Sequence, residues 1–274
     1  LLFAALISPV LAMAAERIHR PRNIRFSKWL IFFATEVFLH LLLDGFNNYG
    51  VGWFEPFSHL RVSFNAIYVA DPLFSIWPGI AVVMLFLINS FNRRRRFWWR
   101  FGLFIPFFYL GICIFNKTRI DREVTGILRE QAIPYSRYFT TPTPMNNLLW
   151  YVVAGNDEGY HVGFRSLLDS RKKIDFKYFP RNDSLLDPVK GHPDLHYLMR
   201  FSQQFYTVEK WGDTLVFNDL RFGQVLGWKY PREKFVFHYF LDRPDGNELV
   251  VQRGRFAGWN RSELSYFIRR IKGD

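Results

Sequence analysis

The chain has 274 residues, 49% of them hydrophobic and 19% aromatic, yet its mean hydropathy is only −0.05, so the apolar residues must be concentrated in one part of it. The net charge of +12 raises nucleic acid as a partner, but its distribution argues against that: residues 1–116 hold eleven Lys and Arg, and ten of these form two clusters between hydrophobic runs. The clusters are Arg17, Arg20, Arg22, Arg25 and Lys28, then Arg93 to Arg96 and Arg100, the positive-inside pattern of a membrane protein.

The opening run LLFAALISPVLAMAAE has the character of a signal peptide or of the tail of a transmembrane helix. The basic residues directly after it favour the helix, with an N-terminally truncated first span. A second span is expected at Ser27 to Leu43, a third at Pro72 to Phe91 and a fourth at Phe97 to Asn116, with Trp98 and Trp99 at its interfacial edge. Pro78 and Pro106 are tolerable inside such spans. Cys113 is the only cysteine; in its apolar run it reads as a packed thiol.

The basic loops at 16–28 and 92–100 are expected to be cytoplasmic. The connection from Asp44 to Asp71, whose only basic residue is Arg61, and everything after Asn116 are expected on the opposite side. The fold class is thus a multi-pass α-helical membrane region of about four spans, residues 1–116, followed by an extracytoplasmic α+β domain, residues 117–274.

In that domain, alternating runs flank Asn156-Asp157-Glu158-Gly159, Gly212-Asp213 and Pro244-Asp245-Gly246-Asn247, and each reads as a hairpin. Pro193 to Phe205 reads as a helix. Asn260 followed by Glu263 starts a last helix that ends near Lys272.

The chemistry-bearing residues gather at the end of the second span. Glu36, His40 and Asp44 recur every four residues and so share one helix face, at a depth where ionisable groups usually mark function. Imidazole and carboxylate one turn apart are a standard pair of ligands for a divalent metal, zinc first among them; a hydrogen bond between neighbours is the simpler alternative. Gly45 ends the helix, Asn48 and Tyr49 can orient water or substrate, and Arg61 can grip an anion through its fork. Asp71 is either a further ligand or a helix-start carboxylate. His192 and His196 also lie four apart, but lack the glutamate of a zincin and read as structural. Nucleophile-elbow, Walker and dinucleotide motifs are absent from the sequence.

The segment FLHLLLDGFNNYGVGWFEPFSHLRVSFNAIYVADPLFSIWP resembles a bacterial inner-membrane, metal-dependent hydrolase family of the LexA-regulated type. The likeness lies in a His-x-x-x-Asp at a helix end, an Asn-rich Tyr-Gly turn, a Pro-Phe-Ser segment and an Asp-Pro before the next span. TTPTPMNNLLWYVVAGNDEGYHVGFRSLLD and DFKYFPRN are similar to longer members with an appended soluble domain. The resemblance implies that His40 and Asp44 form one metal motif. It also implies two further motifs upstream, one aspartate-rich and one His-Arg…His-Ser, so the metal site is expected to be incomplete within these residues.

The function expected is a membrane-bound, zinc-dependent hydrolase of an ester or phosphoester, with membrane lipids or a small molecule as partners and no nucleic acid. The alternatives are a non-catalytic, membrane-anchored envelope scaffold or binding protein and, behind it, an ion or proton relay. A relay would have to continue through the third and fourth spans, which carry no carboxylate.

Overall fold

The computed structural model describes residues 1–19, 24–191, 193–241 and 258–273. Arg20, Arg22, His192 and the expected turn at 244–247 lie outside the described residues. Contacts divide the chain into two compact units, Leu1–Asn65 and Ala66–Asp274; the expected division at Asn116 falls inside a helix of the second.

In the first unit, α1 (Leu2–Ile18) packs against α2 (Phe26–Asp44). No residue of α2 is buried, and Ile31, Phe32 and Phe38 stand exposed. A surface this apolar, interrupted by Lys28 and by the face that carries Glu36, His40 and Asp44, suits lipid better than water. At about 28 Å α2 can cross the hydrocarbon core. The loop that follows is folded rather than extended: Val51 and Val62 form an antiparallel bridge, the Phe64 N–H donates to the Gly45 carbonyl at 2.7 Å, and the Trp53 indole donates to the Leu41 carbonyl at 2.9 Å. Gly45 is required here, because a Cβ would stand 2.8 Å from the Trp53 ring.

The second unit begins with α3 (Pro72–Leu87) packed on α4 (Arg95–Glu130). Gly102 permits the close approach, since a Cβ there would collide with the Ala81 side chain. α3 stops short of the expected Phe91. Arg95 Nη1 donates to the Leu85 and Ile88 carbonyls at 2.5 and 2.8 Å, capping the C-terminus with a cation, and Asn89 and Asn92 each accept a backbone N–H two residues on. At 16 residues α3 is about 24 Å long, below the usual span. Among the described residues α2 and α4 are the two helices long and apolar enough to cross a bilayer; four were expected.

α4 runs fourteen residues past the expected end of the fourth span. Ile120, Val124, Ile127 and Leu128 keep one apolar stripe and bury it against Trp150, Val152 and Ala154 of a four-stranded antiparallel sheet. Its strands are β1 (Arg137–Pro142), β2 (Leu149–Gly155), β3 (Gly159–Ser166) and β4 (Lys177–Pro180) in sequential order. The opposite face of this sheet, Phe139, Tyr151, Val153, Tyr160 and Val162, meets Leu220 and Phe235 of a second sheet, formed by β5 (Tyr206–Trp211), β6 (Thr214–Gln224) and β7 (Phe235–Phe240). Covered on both faces, β2 is buried at every position, which explains a strand with no polar alternation. A 3-10 helix (Asp183–Val189) and α5 (Pro193–Phe201) contribute Leu186, Leu195 and Leu198 to a cluster with β5 and β6. α6 (Arg261–Ile271) seats Phe267 beside Trp228 and Leu226. The expected hairpins at 156–159 and 212–213 are present. Asn260 caps α6 by accepting from the Ser262 and Glu263 N–H groups.

Candidate functional site

α2 carries His40 and Asp44 on its last turn, and Gly45 follows as the C-cap. His40 Nε2 lies 3.3 Å from Asp44 Oδ2. Two donors each about 2.0–2.1 Å from a tetrahedral zinc stand roughly 3.3–3.4 Å apart, so the pair is already at chelating separation; the same distance suits a hydrogen bond between imidazole and carboxylate. Both side chains are accessible, 76% and 44% exposed, and Glu36, one turn earlier, is exposed too. A catalytic zinc takes three protein ligands, whereas no group of three or more His, Cys, Asp or Glu gathers among the described residues. These residues supply two donors and do not by themselves complete a catalytic site.

The other expected residues hold the loop together. Arg61 Nη2 donates to the Gly50 carbonyl at 2.7 Å, and Nε to the Tyr49 carbonyl at 3.3 Å. Asn47 Oδ1 accepts the Tyr49 N–H at 2.8 Å, Ser63 Oγ donates to the Asn47 carbonyl at 2.7 Å, and Asn48 is buried. His59 pairs with Glu55 at 2.8 Å on the exposed side of the loop. The guanidinium expected to meet an anion thus closes a turn. Asp71 acts as the N-cap of α3: Oδ1 accepts the Leu73 N–H at 2.8 Å and Oδ2 the Tyr109 hydroxyl at 2.9 Å. This is the helix-start alternative in structural form.

A polar layer that sequence reasoning missed lies where α4 leaves its apolar segment. Asn116 Nδ2 donates to Asn147 Oδ1 at 2.8 Å, and Asn147 Nδ2 to the Ala66 carbonyl at 2.8 Å. Lys117 Nζ donates to Asp121 Oδ1, to the Thr140 carbonyl and to Thr140 Oγ1 at 3.0, 3.0 and 2.7 Å. An amine against a hydroxyl is the geometry of an activated nucleophile. Here, however, Thr140 is fully buried, its hydroxyl donates to Asp121 at 2.6 Å, and all three ammonium donors are engaged. The layer ties helix to sheet. Only the Lys117–Asp121 spacing could have announced it; Thr140 arrives through strand pairing and Asn147 on the connection between β1 and β2.

Deeper in the domain, Arg181 donates to the Tyr206 hydroxyl at 2.6 Å and to Asp157 at 2.8 Å, with its guanidinium over the Tyr206 ring. Burial pushes the Tyr206 phenol up to about 12, against the pull of Arg181. His196 is in α5, stacked edge-on with Tyr197.

An exposed apolar helix, and a second whose far end is the spine of a folded domain, define a membrane-anchored protein. Residues 1–120 match the profile of the YdjM inner membrane protein family; this stretch of the chain is similar to that family, and together with the apolar helices it supports an inner-membrane location. No curated protein and no solved structure matches the chain.

Proposed function

We propose that the chain is a multi-pass inner-membrane protein that holds an α+β binding domain against the extracytoplasmic face of the bilayer. The observation that carries this is the continuity of α4. Arg93 to Arg96 and Arg100 stand at its start, residues 101–115 are apolar, with Phe97, Phe104, Phe108 and Phe115 all 60% or more exposed, and Ile120, Val124, Ile127 and Leu128 are core of the domain. A helix basic at one end and folded into a domain at the other supports a domain across the membrane from a cationic, cytoplasmic end. Protease added to intact spheroplasts is expected to degrade the 131–274 domain while leaving the 92–96 loop protected. A domain that becomes cleavable only after lysis would overturn the orientation.

A second reading, a metal-dependent hydrolase acting on an ester or phosphoester at the membrane surface, is favoured by the chelating separation of His40 and Asp44. In it these two residues hold the ion with further ligands, Asn48 and Tyr49 line the turn beside it, and Arg61 keeps that turn closed. Bound zinc would supply a water with its pKa lowered to about 7. The purified full-length protein should then carry zinc in stoichiometric amount, reduced at least tenfold in His40→Ala. Wild-type protein without bound metal would end this reading.

A further inference from the structure

Just past its apolar segment, α4 forms one wall of a cavity of about 420 Å³, with Arg119, Arg122 and Gly126 on the helix and Arg165, Ser170 and Lys172 on the facing strand and loop. Its size is that of a small-ligand site, roughly 300–1,000 Å³. The interior charges are ordered among themselves. Arg165, only 4% exposed, donates to Glu123 Oε2 at 3.2 Å and to the Asp169 and Arg171 carbonyls. Glu123 also accepts from Arg119 at 3.0 Å, and Asp169 is held by Arg270 at 2.6 Å and by the Ser166 N–H at 2.8 Å.

With those carboxylates engaged, Arg122 and Lys172 remain at the rim, exposed and without an ion-pair partner among the described residues. Only Glu130, at the far end, opposes them. Gly126 lies one turn beyond Arg122, and a Cβ there would meet nothing within 4 Å. Glycine weakens a helix, and at this position its effect is to keep the cavity floor low.

Depth defines the ligand. Arg119 and Arg122 lie three and six residues beyond Asn116, about 4.5 and 9 Å along the axis. The headgroup layer is roughly 5–8 Å thick on each side, so Arg119 stands within it and Arg122 at its outer edge, from which a long side chain reaches back. We propose that this cavity binds a phosphate ester at headgroup depth, gripped by the forked Arg122 guanidinium and the Lys172 ammonium. The depth argument rests on the reading that α4 crosses the bilayer; the charge argument does not.

The test uses the full-length protein in nanodiscs of phosphatidylcholine, with phosphatidylglycerol as the lipid probe and glycerol phosphate as the soluble probe. The variants are Arg122→Gln/Lys172→Gln, which removes charge, and Gly126→Leu, which fills the floor. One probe should bind saturably and lose affinity tenfold or more in both variants, with the unfolding midpoint of the charge variant unchanged. Binding of phosphatidylglycerol alone assigns a lipid headgroup, and binding of glycerol phosphate assigns a soluble phosphoester. Binding of neither probe, or equal binding by wild type and variants, overturns the proposal. Release of the chain from membranes by alkaline carbonate would instead break the membrane reading and exclude the lipid source, leaving glycerol phosphate to decide the site.

Discussion

At the scale of single residues, His238 shows how burial becomes pH dependence. It is half-buried in β7, its ring centroid 4.8 Å from that of Trp211 and its Nδ1 3.0 Å from the Phe235 carbonyl. Desolvation pushes its pKa down; the bond to Phe235 and the nearby Glu209 oppose this, and Lys234 reinforces it. As pH falls from neutrality the unfolded chain therefore takes up this proton first, near the ordinary value of about 6.5. Stability should fall as pH drops through that value and level off below the folded-state pKa. His238→Gln is expected to flatten the slope of denaturation midpoint against pH between about 7 and 5; an unchanged slope would show that another group governs it. The pairing of His40 with Asp44 was legible in their spacing alone, because four residues make one turn. The role of Arg61 was not, since its acceptors are backbone carbonyls, which carry no sequence signature.

At the scale of elements, α4 does two jobs with one helix. In its first half Phe97, Phe104, Phe108 and Phe115 stand exposed; in its second, Ile120 and Val124 are fully buried. Ile120→Ala removes packing at a site closed by the sheet and should lower the stability of the domain by about 2–5 kcal/mol, read as a lowered denaturant midpoint of tryptophan fluorescence in detergent. Phe115→Ala, at a side chain 67% exposed, is the control expected to leave that midpoint in place. The hairpins were legible because turn residues punctuate them. The extension of α4 was not: NKTRIDREVTGILRE looks like a polar departure from the membrane, and its apolar stripe has meaning only once the sheet supplies a surface for it. β1 was missed for a related reason, since RYFTTP lacks alternation and is recruited as a strand by register with β2.

At the scale of the whole molecule, the separation into apolar and mixed halves was plain from composition, and so were the two basic clusters. Composition does not count spans, however. α3 is as apolar as its neighbours yet ends at Leu87, about one turn before the expected Phe91, because Arg95 reaches back to close it. Nor does composition complete a metal site, which depends on donors brought from several elements at once. The two-donor pair on α2 is as far as spacing reaches.

The uninterrupted course of α4 has a mechanical consequence. On the proposed reading, in which α4 crosses the bilayer, an apolar stretch longer than the hydrocarbon is thick leans to fit it, and the same rod is rooted by its apolar stripe in the β-layers. When the bilayer thins, the rod leans further, and the sheets turn with it as one piece. On that reading lipid thickness would be translated into the angle at which the domain meets the surface beside it.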